Sequence, residues 1–146
     1  RLLLSQGNQP RLPLREERAL IRSYLTLEKI RMGAQLRVTW AWAEALDGLQ
    51  VPPLLVLPLV ENAITHGLAQ HPGGGELQIR ADREGGVLHV RVANPGPEAS
   101  GAQGYGLGHG PLRERLAMMQ PPGRFRLGRE GDLTVAELWL PVPEQP

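Results

Sequence analysis

The chain has 146 residues, enough for one domain around one core. It has no cysteine, which excludes disulfides, thiolate metal sites and thiol nucleophiles. A net charge of +1 excludes a broad polyanion-binding field, so no nucleic-acid partner is expected. The longest apolar run carries Pro52, Pro53 and Pro58 and is too short to span a bilayer. With 18 glycines and 14 prolines, many turns are expected. The first residue is Arg1 rather than Met, so a fragment of a longer protein is expected.

Residues 1–13 read as the tail of an upstream helix (Arg1 to Leu4) followed by a linker with Gly7, Pro10 and Pro13. A helix is predicted over 14–32. Its first turn holds Glu16 and Glu17, favourable to the helix dipole and read as capping charge, and Gly33 stops it. Leu36, Val38, Trp40 and Trp42 alternate with polar or small residues, the period of a strand with one buried face. After a loop over 47–53, a second helix is predicted to about Gly67. Its body is apolar all round and belongs inside the domain. Its last turn gathers Glu61, Asn62, Thr65 and His66 in one wedge, with Asn62 and His66 four apart on one face. Such an end is either a helix surfacing at its C-terminus with Gly67 as cap, or a polar site.

Strands are predicted over 77–81 and 88–92, joined by Glu84-Gly85-Gly86 as a hairpin. Asn94-Pro95-Gly96-Pro97 ends the second of them. A short loop over 97–103 leads to the glycine-rich stretch Gly104-Tyr-Gly-Leu-Gly108. A helix opens near Pro111 and ends at Pro121-Pro122-Gly123. Two strands, 124–129 and 133–140, close the chain around a turn at 130–132. The order α-β-α-β-β-α-β-β with tight hairpins predicts an α+β fold: a two-layer α/β sandwich with a mixed, mostly antiparallel sheet and helices on one face.

Most familiar chemistries find no footing. GxxxxGK[ST] is absent, and GxGxxG fails in every register of the glycine stretch. No GxSxG elbow surrounds a serine, and the four histidines lack metal-ligand spacing. What remains is an ordered set. Glu61 and Asn62 end a buried helix, Asn94 ends a strand, a glycine stretch opens a helix, and Thr134 sits in the last strand. Glycine-opened helix starts offer N–H groups to phosphate. An amide oxygen suits Mg²⁺, which shares its coordination with waters and phosphates. A neighbouring carboxylate can orient a nucleophile. These are the parts of an ATP·Mg²⁺ site.

The same residues in this order resemble the catalytic ATP-binding domain of two-component sensor histidine kinases, in the GHKL ATPase group with its Bergerat fold. Val51-Pro-Pro-Leu-Leu-Val-Leu-Pro-Leu-Val-Glu-Asn-Ala-Ile-Thr-His-Gly67 is similar to the N box of the LytS-like subgroup. Leu14-Arg-Glu-Glu, and the segment from Tyr24 to Gly33, resemble that subgroup's upstream segment. Val92-Ala-Asn-Pro-Gly96 resembles its first glycine box. Gly104 to Gly108 with Arg113-Glu-Arg-Leu116 resembles the second, and 134–141 resembles its closing strand. The resemblance covers about residues 12–141.

It implies a catalytic domain over 14–146, preceded over 1–13 by the end of the dimerisation and phosphoacceptor helix and a linker. It implies that Asn62 ligates Mg²⁺ and that Glu61 orients or activates the accepting group, with His66 near the phosphates. It implies that Asn94 meets the adenine amino group, Gly96 lets the ring approach, and Thr134 supports the adenine edge. Gly104, Gly106 and Gly108 would offer backbone donors to phosphate, and Arg113 is either added positive charge or a surface residue. The implied reaction moves the ATP γ-phosphoryl group to a histidine on the upstream helix, for relay to a response regulator. That histidine segment is absent here. A cytoplasmic location and a homodimeric full-length protein are implied, with a membrane anchor left open. Three features depart from the family pattern: Asn94 stands where Asp is usual, Pro111 stands where Asn is frequent, and the loop between the two glycine boxes is short and leaves little lid. They motivate an alternative, a nucleotide-binding or partner-docking module without phosphotransfer.

Overall fold

The computed structural model describes residues 10–96 and 102–142. The expected helix tail at 1–4, and residues 97–101 of the predicted loop, lie outside the described residues. The elements in chain order are β1 (Leu12–Pro13), α1 (Leu14–Met32), β2 (Leu36–Trp42), β3 (Gln50–Val51), α2 (Leu57–Asn62), β4 (Gly75–Glu84), β5 (Val87–Pro95), α3 (Ala102–Ala117), β6 (Arg124–Glu130) and β7 (Leu133–Pro141). Five strands form one sheet in the order β2-β4-β5-β7-β6, while β1 and β3 make a short ribbon of their own. Only β2 and β4 run parallel; the other neighbours in the large sheet are antiparallel.

The alternation read from the sequence sets the two faces. Leu77, Ile79, Leu88, Val90, Val92, Leu138 and Leu140 point to a common core. Leu14, Ile21 and Leu25 of α1, Leu59 and Val60 of α2, and Leu112 and Leu116 of α3 fill the same core. The opposite face is polar and paired across strands. Arg91 of β5 bonds Glu130 of β6 at 2.6 Å, and within β4 Arg80 bonds Asp82 at 2.8 Å. His89 lies on that face and is engaged. Its Nε2 lies 2.9 Å from Glu137 Oε2 and its ring stacks on Trp139. The expected two-layer α/β sandwich is therefore the observed fold. No helix among the described residues is long and apolar enough to cross a membrane.

The central helix departs from expectation. A helix over about 54–67 was predicted; α2 is confined to Leu57–Asn62. Leu54 takes a left-handed φ of 60° that no helix continues through, and the helix opens only at Leu57. Beyond Asn62 the chain widens into a π-type turn over Ala63–Gly67, then tightens into a 3₁₀ turn over Leu68–Gln70.

The start of α2 is held from both sides. Glu17 of α1 is fully buried. Its Oε1 accepts from the Leu54 N–H at 2.8 Å, and its Oε2 from Val56 and Leu57 at 3.1 and 2.9 Å. A carboxylate that receives three N–H groups, at a place where helix donors have no internal partner, is well satisfied. From α3, Arg115 donates to the carbonyls of Pro53 and Leu54 at 2.6 and 3.0 Å. The reading of Glu16 and Glu17 as capping charge for their own helix holds only for exposed Glu16. Glu17 turns inward and caps the neighbouring helix instead, because burial beside α2 gives its charge three donors that the surface would not.

Candidate functional site

The widened turn after Asn62 brings the end of the central helix against the end of β5. Contact there is closer than any side chain allows. A Cβ built on Gly67 would lie 1.9 Å from Asn94 Nδ2, and one on Gly96 would lie 2.7 Å from the Gly67 Cα. Gly67, Asn94 and Gly96 thus form one packed corner, and both glycines are required by space. π-type turns often mark functional positions, because the extra residue re-aims the side chains around it. Gly67 is the turn's last residue, so its place in the corner follows from that widening.

Asn94 and Thr134 face each other in register across β5 and β7. They are two of the three buried polar side chains among the described residues, at 2% and 4% exposure. Buried polar groups demand partners. Asn94 Nδ2 donates to the Pro95 carbonyl at 2.8 Å. Thr134 Oγ1 accepts from Arg129 Nη1 at 2.8 Å, and the same Nη1 donates to the Gly96 carbonyl at 3.1 Å. The sequence reading missed Arg129. The hairpin turns at 131–132, one residue tighter than the turn read over 130–132, and this pairs position 129 with 134.

Asn62 and His66 are half-buried on the same turn. Glu61 is exposed and lies on the side of α1, where its charge acts on Tyr24. The Tyr24 phenol shares a hydrogen bond with Thr65 and is pushed up to about 12, first by burial and then by the Glu28 and Glu61 carboxylates. Arg113 donates to the Phe125 carbonyl at 3.3 Å and sits 4.8 Å over that ring, so of its two readings the surface one fits its described contacts.

Gly104, Gly106 and Gly108 were expected in a loop before a helix opening near Pro111. Their backbone is helical instead: α3 begins at Ala102 and carries Pro111 inside it. Intrinsic preference opposes this, since each interior glycine costs about 1 kcal/mol against alanine and proline more. In return, a helical path gives the segment's N–H groups carbonyl partners within the segment.

No group of three or more His, Asp or Glu side chains that could hold a metal occurs among the described residues. A Mg²⁺ that arrives with a nucleotide does not require one, since one or two protein oxygens plus phosphates and waters complete its shell. The Asn62 amide is an oxygen donor of the right hardness for that arrangement.

No protein-family model matches the chain. The chain is 33% identical over 124 residues to the sensor histidine kinase BtsS of Escherichia coli, covering 84% of this chain and 21% of BtsS. It spans 30% or less of the length of the curated relatives it matches. Its fold is similar to that of the Acinetobacter baumannii histidine kinase AdeS, with a TM-score of 0.71 at 12% identity over 96% of this chain and 70% of that one. It is also similar to full-length ShkA in complex with AMPPNP, with a TM-score of 0.65 at 19% identity over 94% of this chain and 32% of that one. Relatives and fold agree with the motifs: the chain belongs to the family of sensor histidine kinase catalytic domains, in the LytS-like subgroup.

Proposed function

We propose that this domain binds Mg·ATP and presents its γ-phosphoryl group to a histidine on a helix outside this sequence, for relay to a response regulator. The observation that carries the reading is the buried corner of Gly67, Asn94, Gly96 and Thr134, in which two glycines let the end of the central helix and the end of β5 close on buried polar side chains. The edge of a purine would meet Asn94 and Thr134. Asn62 would offer its amide oxygen to Mg²⁺, which neutralises phosphate charge when bound. His66, on the same turn, would stand near the phosphates. Glu61, which is exposed, would orient the accepting imidazole. The backbone at Gly104, Gly106 and Gly108 would supply N–H donors to phosphate, which requires part of α3 to leave its helical path. Catalysis of this kind is positioning plus electrostatics, with no covalent step on the domain itself.

Isothermal titration of the folded chain with Mg·ATP tests this. Saturable binding below millimolar nucleotide is expected; its absence overturns the reading. A second reading, a nucleotide-binding docking module without transfer, draws on Asn94 in place of a carboxylate and on the helical glycine segment. Radiolabelled ATP with a histidine-bearing helix of a LytS-like kinase supplied in trans separates the two. Label on the helix supports the kinase, and binding without label supports the module.

A further inference from the structure

We propose that the free edge of β2, with the apolar groove between it and α1, docks an extended acidic segment of a partner protein, which joins the sheet as a further strand. None of the residues involved belongs to the nucleotide corner or to the Asn62 turn, so the test stands apart from nucleotide binding.

β2 ends the sheet, with β4 on one side of it. Among the described residues, the backbone of 37–42 bonds to no element on the other side. A seven-residue strand with one unpaired edge is a template for another strand. Beside that edge lies a groove of about 530 Å³, within the range of binding clefts. Leu25 and Ile30 of α1, and Leu36, Val38 and Trp40 of β2, are its apolar lining. Ile30 and, one turn earlier, Leu27 are 78% and 65% exposed, so apolar surface continues from the groove onto the helix.

Charge selects the occupant. The charged lining is Arg22, Lys29 and Arg37, with no carboxylate among them. Arg37 stands in register with Glu76 of β4, so Arg22 and Lys29 carry the unbalanced charge. Their contacts fix where they stand. The Arg22 guanidinium lies 5.5 Å over the Trp40 ring, and Lys29 Nζ donates to the Leu36 carbonyl at 2.5 Å. The two cations are thus level with strand positions four apart, roughly 13 Å, with Val38 midway. Helix and strand agree on this spacing, because seven residues of α1 rise about 11 Å. An ammonium that gives one hydrogen to a carbonyl keeps two for a carboxylate, and a guanidinium over a ring keeps its N–H edge. An added strand meets this as a pattern on one face: a carboxylate, an apolar residue two positions on, and a second carboxylate two beyond that.

The probe is the end-blocked peptide Val-Thr-Glu-Thr-Ile-Thr-Glu-Thr-Val, whose pattern is the same in either strand direction. One control carries Lys in place of both Glu. The other exchanges each Glu with its outer Thr, which keeps composition and charge but moves the carboxylates to the opposite face. Backbone amide shifts in heteronuclear NMR spectra of the folded chain report site and Kd together. The acidic peptide is expected to bind with Kd below about 1 mM, with shifts centred on residues 36–42. Both controls are expected to bind about tenfold more weakly, the worth of two exposed ion pairs. Arg22→Glu combined with Lys29→Glu, both at exposed positions, should reverse the order of the acidic and Lys peptides, with circular dichroism reporting the fold. Equal binding of the three peptides, no saturable binding of the acidic one, or shifts centred outside 36–42 overturns the proposal. So do shifts of the same amides with protein concentration alone, which would place a second copy of the chain on the edge. Should the double variant fail to fold, the three peptides on the wild type decide.

Discussion

The two ends of α2 solve opposite problems. At its start, Glu17 from α1 and Arg115 from α3 meet five backbone groups of residues 53–57, three donors and two acceptors. All these partners come from within the chain, and Glu17 is sealed from water. At its end, the helix widens into a π-type turn with half-buried Asn62 and His66, and glycines replace side chains against Asn94. The first arrangement spends polar groups on holding the helix. The second packs polar groups against bare backbone. The comparison separates stability from binding along one helix, and substitutions at the two ends should fail in different ways.

The largest effect is expected at the sealed end. Glu17→Ala leaves three inward N–H groups without their acceptor and should cost about 3–5 kcal/mol, given about 1–3 kcal/mol for each unsatisfied buried group and partial rescue by water. Urea denaturation measures it. A loss under about 1 kcal/mol would mean that the carboxylate is not what fixes residues 54–57. Next is Gly67→Ala, whose methyl would lie 1.9 Å from Asn94 Nδ2. Displacing Asn94 should cost about 1–3 kcal/mol in the same assay and weaken nucleotide binding as well. Wild-type stability in that variant would dissolve the packed corner.

Asn62→Ala should behave in reverse. Stability should stay within about 1 kcal/mol of wild type, while the Mg²⁺-dependent part of ATP binding disappears. Unchanged metal dependence in the titration would remove Asn62 from the metal. The smallest effect concerns Tyr24, on the α1 side of the turn. Its folded value, pushed up from 10.0 to about 12, means that the fold favours the neutral phenol. The associated stability is complete below pH 10 and is lost as pH rises through 12. In a Tyr105→Phe variant, the phenolate absorbance should titrate near 12; a midpoint at 10 would place Tyr24 in open water.

The contrast also explains what the sequence disclosed. Strands β4 to β7 were legible because period-two alternation and turns such as Glu84-Gly85-Gly86 are local signals. The length of α2 was misjudged because its apolar run suits a buried helix, and the left-handed turn at Leu54 has no signal in a leucine. Asn94 and Thr134 were legible through family resemblance, and their register then places them face to face. Glu17 was illegible: a glutamate in a first turn looks like surface charge, and only tertiary packing turns it inward. The path of Gly104 to Gly108 was misjudged because glycine and Pro111 argue for a loop, and propensity is a weak guide when backbone partners are at stake.

The most direct measurement is a crystal structure of the chain grown with Mg²⁺ and a non-hydrolysable ATP analogue. The account predicts the purine edge against Asn94 and Thr134, and Asn62 Oδ1 at about 2.1 Å from the metal. A nucleotide bound elsewhere, or a metal shell complete without Asn62, would contradict it.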